Sequence, residues 1–190
     1  MTSGAHLPRI VCAGAALLLA ASGVAFAQTS VTTIGPGPAQ RCYELAREGA
    51  SGLPSVQECT MALDGFLSEA DRAATLTNRA ALRLQRREGD QALADLDAAL
   101  ALRADQGEAH VNRGAALILL GRFEEALAAI DQGLALGTDD PHEAYFNRGI
   151  AHEALDNLPA AYSDYTRASE LAPDWPLPRT ELARFTVRRE

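Results

Sequence analysis

Lysine is absent from this 190-residue chain; all 17 basic side chains are arginine, set against 25 acids. The resulting net charge of −8 repels phosphate backbones and anionic lipid, which disfavours nucleic-acid or membrane-surface binding. Aromatic residues make up only 5% of the chain, with a single tryptophan, Trp175. No segment alternates apolar and polar residues long enough to predict a strand. Catalytic signatures are missing as well. No HExxH, GxSxG, glycine-rich phosphate loop or paired-carboxylate pattern accompanies His110, His142 or His152. Neither an enzymatic activity, a small-molecule substrate, a cofactor nor a bound metal is expected.

Cysteine is also scarce, and its placement divides the chain. Cys12 lies in an apolar run, Ile10 to Ala25, that follows Arg9 and ends in the small-x-small motif Ala25-Phe26-Ala27. That pattern predicts a signal peptide over 1–27, cleaved before Gln28, and hence an exported, periplasmic protein. The run is short for a membrane span and is broken by Gly14, Ser22 and Gly23. Arg9-Ile10-Val11 lacks the small residue that a lipoprotein signal places before its cysteine. No later apolar run reaches membrane length, so no span remains after processing. Loss of one Arg and no acid takes the charge from −8 to −9. Cys42 and Cys59 are then an even pair in an oxidising compartment, which reads first as a disulfide. A catalytic dithiol would be spaced Cys-x-x-Cys, which does not occur, and metal ligation would need two further ligands, while no His lies between residues 7 and 109.

What the chain does contain is periodicity. Asn78-Arg79-Ala80, Asn112-Arg113-Gly114 and Asn147-Arg148-Gly149 recur at steps of 34 and 35 residues. Ala92, Ala126 and Ala161 keep the same step, as do Ala99, Gly133 and Ala168. A period of this length marks one supersecondary unit, stacked so that neighbours bury each other's apolar faces. Within each unit the apolar residues fall three and four apart, as in Leu93, Leu96, Leu100 and in Phe123, Leu127, Ile130, Leu134. That spacing is a helical stripe. Gly89-Asp90, Gly121-Arg122 and Asp156-Asn157 mark the turns. Residues 28–39 are uncharged and contain Thr, Gly and Pro, which predicts a flexible lead-in.

These units resemble the tetratricopeptide repeat, a 34-residue helix–turn–helix with small residues at its eighth, twentieth and twenty-seventh positions. Units beginning at Ala73, Gly107 and His142 place Ala80, Gly114 and Gly149 at position eight. Leu-Gly-Arg-Phe-Glu-Glu-Ala-Leu (120–127) is close to the family's inter-helix consensus. The chain departs from the pattern at position seven, where Arg replaces the usual Leu in all three units. The resemblance implies an all-α fold: a right-handed α-solenoid with repeats over 73–106, 107–140 and 142–175 and a capping helix over 176–190. Residues 40–72 would form a degenerate, disulfide-stapled hairpin, with Cys42 and Cys59 facing between its helices. Position seven points between helices, so Arg79, Arg113 and Arg148 are expected to pair with Asp95, Asp97, Asp131 and Asp164. His110 and His152 fall at interior-facing positions and are expected to pack. Trp175 is expected to plug the cap against the third repeat.

The resemblance also implies a function. In the family, the first helix of each repeat lines a concave groove through positions two, five, six, nine, twelve and thirteen. Carried over, the groove residues with side chains able to contact a peptide are Thr77, Asn78 and Gln85, then Glu108, Val111, Asn112 and Ile118. Glu143, Phe146, Asn147, Ile150 and Glu153 follow from the third repeat. An Asn amide offers both a donor and an acceptor and can hold an extended backbone whatever its side chains, or it can bond the neighbouring helix and serve only the fold. The expected function is a non-catalytic scaffold or adaptor that binds a partner protein or peptide on the concave face. The alternative is a structural subunit of a cell-envelope assembly that uses its convex or C-terminal surface. The family's basic clamp for acidic C-terminal peptides is not met, and an edge of Glu108, Glu143 and Glu153 favours neutral or basic partners.

Overall fold

Small side chains at fixed intervals set how closely the helices of this chain approach. The computed structural model describes residues 9–12 and 37–188. Apart from residues 9–12, the expected leader and its cleavage site lie outside the described residues, as does most of the lead-in. After strand β1 (Arg9–Cys12), the helices run α1 (Pro38–Arg47), α2 (Leu53–Asp64), α3 (Glu69–Gln85), α4 (Gly89–Leu102) and α5 (Gly107–Leu119). They continue as α6 (Phe123–Leu136), α7 (Pro141–Ala154), α8 (Leu158–Leu171) and α9 (Pro176–Leu182), before strand β2 (Phe185–Arg188). Consecutive helices pair as hairpins, and each hairpin packs on the next, which makes an α-solenoid.

The glycines show why the period exists. A Cβ on Gly114 of α5 would lie 2.3 Å from Ile130 of α6, and one on Gly149 of α7 would lie 2.7 Å from the Tyr165 ring of α8. Both distances are shorter than any real carbon contact, so only glycine permits these crossings. A Cβ on Gly133 would lie 2.8 Å from the Gly107 carbonyl oxygen, where α6 meets the start of α5. The turn inside each repeat uses a left-handed residue at the same register: Arg87 (φ 61°), Gly121 (φ 72°) and Asp156 (φ 59°). Only Gly121 adopts it without crowding a Cβ.

The main core runs through the first two repeats and into the third, with Leu84, Leu96, Val111, Leu117, Ile130 and Ala144 buried together. A second, aromatic cluster closes the far end around Phe146, Tyr165 and Phe185. The N-terminal hairpin has only two small clusters, one in which Cys42, Ala46 and Cys59 meet Leu82 of α3 and one in which Ala39 and Ala62 meet Ala74 of α3. No helix among the described residues is long and apolar enough to cross a membrane.

Two boundaries differ from expectation. Helix α3 starts at Glu69, inside the span assigned to the stapled hairpin, because the Ser68 hydroxyl caps it by accepting the Asp71 N–H at 3.1 Å. The C-terminal segment is not helical throughout: α9 ends at Leu182, and β2 pairs antiparallel with β1, Cys12 opposite Phe185 and Arg9 opposite Arg188. Thr186 and Val187 are β-branched and favour the extended form. The ribbon lies outside the repeats and leaves the solenoid intact. Because β1 falls within the expected leader, cleavage there would leave β2 an unpaired edge.

Candidate functional site on the first-helix face

Position eight of each repeat faces the second helix, since a side chain at Gly114 or Gly149 would collide with it. Asn stands two residues earlier, about 200° around a helix of 3.6 residues per turn. Asn78, Asn112 and Asn147 therefore occupy the side of α3, α5 and α7 turned away from α4, α6 and α8. Those first helices also touch one another in order, α1 on α3, α3 on α5 and α5 on α7. The three amides are buried, at 4%, 1% and 0% exposure. Asn78 Nδ2 and Asn112 Oδ1 are shut off from solvent without a hydrogen-bond partner, and so is Gln85 Nε2. Unsatisfied buried polar atoms are uncommon and costly, so a donor on one repeat and an acceptor on the next stand out.

The other expected groove residues divide into two kinds. Val111 and Ile118 belong to the main core, and Phe146 packs on Tyr165 with ring centroids 5.4 Å apart. Ile150 packs against both clusters. These four hold the repeats together instead of presenting an open surface: Phe146 lies on the Tyr165 ring of α8, and a Cβ on Gly133 of α6 would strike Val111 Cγ2 at 2.7 Å. Thr77 is buried and its hydroxyl donates to the Ala73 carbonyl at 3.0 Å. Two of the three acids are also committed internally. Glu108 accepts the Asp139 N–H at 2.8 Å, and Glu153 accepts the Tyr165 hydroxyl at 3.0 Å and pairs with Arg184. Burial, with Glu153 beside it, pushes the Tyr165 phenol well above its ordinary range.

Glu143 is the exception. Its Oε2 is buried without a partner. Burial, with Asp140 adding to it, pushes the carboxyl up to about 8 from an ordinary 4.5. Folded protein thus holds more protons here than unfolded chain between those two values, and stability contributed by this site falls as pH rises through that window. Glu143 lines a cleft of about 630 Å³ with His142, Leu171, Pro173, Asp174 and Trp175. Trp175 closes the end of the third repeat as expected, 4.9 Å from Phe146 and edge-on to His142 at 5.3 Å. Sequence reasoning flagged neither Leu171 nor Asp174. Leu171, an apolar residue at the end of the last repeat helix with no further hairpin to cover it, was the available signal.

The arginines at position seven pair as the register requires. Arg79 forks onto Asp95 at 2.9 and 2.6 Å, Arg113 reaches Asp97 at 2.7 Å, and Arg148 forks onto Asp164 at 2.8 Å while also holding Asp131 at 2.7 Å. The bonds to Asp164, then to Asp131, hold the Arg148 guanidinium above its ordinary value against the opposing effect of burial. Cys42 and Cys59 are bonded to each other, with Cα atoms 4.7 Å apart and both side chains fully buried. His110 Nε2 lies 3.0 Å from the Ala104 carbonyl oxygen, and His152 lies 3.9 Å from Asp164. No group of three or more His, Cys, Asp or Glu that would hold a metal occurs among the described residues.

Helical hairpins of fixed length, joined by close small-residue contacts and presenting one row of polar first-helix residues, define a helical-repeat protein of the interaction type. The sequence profile of the tetratricopeptide repeat matches residues 77–141 and again 120–176. The chain belongs to the tetratricopeptide repeat family. No curated protein matches it in sequence. Among solved structures, it is similar to the first tetratricopeptide domain of Spaghetti (RPAP3) bound to the HSP90 peptide SRMEEVD. That likeness has 25% identity and a TM-score of 0.56, covering 63% of this chain and 94% of that one. It shares its fold with the thermophilic repeat protein TTC0263 of Thermus thermophilus at 20% identity and a TM-score of 0.61, over 77% and 78% of the two chains. The Arabidopsis OM64 repeat domain has the same fold at 20% identity and a TM-score of 0.58, over 62% and 96%.

Proposed function

We propose that this protein is a non-catalytic adaptor, exported to the cell envelope, that holds an extended segment of a partner protein along the first-helix face. The observation that carries the reading is the row of Asn78, Asn112 and Asn147 on the side of the first helices turned away from the second ones, where Asn78 Nδ2 and Asn112 Oδ1 stay buried without a partner until neighbouring first helices part for a ligand. An extended backbone supplies one carbonyl and one N–H to match them. Adjacent helices lie about 8–10 Å apart and a strand advances about 3.3 Å per residue, so a peptide meets successive repeats about every third residue. The repeat domain of Spaghetti bound to the HSP90 peptide lends support by likeness of fold, although its acidic peptide suits a basic groove. Export is supported by the leader motif and by the Cys42–Cys59 bond, which persists in oxidising compartments.

Replacing Asn78 and Asn112 together with Ala is expected to abolish capture of the partner recovered by crosslinking in intact cells, with the helical circular dichroism spectrum retained. Capture undiminished in that variant would refute the reading. A second reading, a structural subunit of an envelope assembly, shifts from the convex or C-terminal surface expected from the sequence to the N-terminal hairpin, where Leu53 and Met61 of α2 and the following Phe66 stand exposed. It predicts that Phe66→Ser and Met61→Ser, and not the Asn changes, release the partner.

A further inference from the structure

The three acids that the repeat register assigns to the groove differ in one respect. Glu108 and Glu153 already receive hydrogen bonds from within the chain, whereas Glu143 keeps an oxygen, Oε2, with no partner. Glu143 lines a cleft of about 630 Å³, and its Oε2 is closed off from solvent behind that wall. The cleft's other walls are not acidic alone. Leu171 is one of few large apolar side chains left substantially exposed, and it lies there beside Pro173 and Trp175. The Trp175 ring is fixed in place by Phe146 on one side and His142 on another. Asp174, exposed, completes the lining.

An apolar wall, an aromatic ring and a carboxyl lacking a donor suit one kind of guest. A long aliphatic stem covers leucine and proline while its cationic head reaches the carboxylate and the ring. A cation favours the ionised form of this carboxyl, which burial otherwise disfavours, whereas a neutral or acidic side chain does not. We propose that this cleft anchors a basic side chain, Arg or Lys, of the partner segment, with Glu143 as its counter-ion and Trp175 as its packing surface. The inference rests on the reading of the first-helix face as a peptide groove. It adds a chemical preference at the C-terminal end of that groove.

Trp175 is the sole tryptophan, so its emission reports directly on the cleft. Three uncharged Ser/Ala nonapeptides, identical except for a central Arg, citrulline or Glu, would be titrated into the purified protein. The Arg peptide is expected to change Trp175 emission saturably and to bind at least tenfold more tightly than the citrulline peptide, with the Glu peptide weakest. In Glu143→Gln the ratio of Arg to citrulline affinity is expected to fall to about one. This variant removes an acid that burial already disfavours, so its melting temperature at neutral pH should not fall. Equal affinities for Arg and citrulline in the unaltered protein would overturn the anchor, a comparison that needs no variant to fold. An Arg preference that survives Glu143→Gln would overturn it too. The groove reading fails separately, if Asn78→Ala with Asn112→Ala leaves citrulline-peptide affinity unchanged. Failure of all three peptides to bind overturns both.

Discussion

In the hairpin α5/α6 two helices of 13 and 14 residues meet over Gly114, and their contact continues into a core shared by all three repeats. In α1/α2 the helices have 10 and 12 residues, each carries a proline in its first turn, and the buried apolar residues fall into two small clusters, Cys42, Ala46 and Cys59 with Leu82, and Ala39 and Ala62 with Ala74. The first unit is held by shape, the second by a covalent bond across it. An apolar face too small to offset the entropy of ordering a hairpin needs a constraint on the unfolded chain instead. The seams differ in the same sense. Arg148 crosses to the preceding repeat through a carboxylate, Asp131, whereas Arg79 crosses to the N-terminal hairpin through the neutral hydroxyl of Thr60 at 3.0 Å.

The contrast can be broken most severely at the glycine. Gly114→Val would drive two methyl groups into Ile130 and the carbonyl of Ala126. A loss of about 3 kcal/mol in urea unfolding is expected, spread over the whole solenoid because the core is shared. Removing the sulfur bridge by Cys42→Ser with Cys59→Ser should cost a little less, about 2–3 kcal/mol for a loop of this size. Its effect should be local: amide exchange should quicken across α1 and α2 while α5 to α8 keep their protection. Uniform loss of protection would contradict the division between the two regions. The smallest change sharpens the comparison by making the seams alike. Thr60→Asp supplies the missing acid opposite Arg79 and is expected to raise stability by less than about 1 kcal/mol, an effect that high salt should erase.

Much of this was legible in the sequence because the repeat register is a statement about contacts. Small residues at 80, 114 and 149 had to lie where backbones meet, and arginine one position earlier had to face the aspartates of helices on either side. The even cysteine pair, falling on opposite helices of a short hairpin, was legible for the same reason. Local chemistry that the period does not encode was harder to read. The early start of α3 depends on Ser68 with Asp71 three residues on, a cap signal that stands in the sequence but outside the repeat frame. The pairing of Phe185–Arg188 with Arg9–Cys12 joins segments at opposite ends of the chain, and no local propensity specifies such a partner. For the groove, position alone did not distinguish facing a ligand from packing inside the solenoid. Val111, Ile118 and Phe146 proved to be core, and Glu108 and Glu153 were already bonded to neighbours that only the folded chain brings near.

Arg148 grips Asp164 of its own hairpin with one edge of its guanidinium and Asp131 of the preceding hairpin with another nitrogen. The last hairpin therefore cannot peel away without also tugging on the one before it. A molecule stretched between its ends would be expected to lengthen in jumps larger than 34 residues, each release taking a neighbour with it. For a chain of stacked hairpins, resistance to being pulled apart link by link is a useful property of one planar cation.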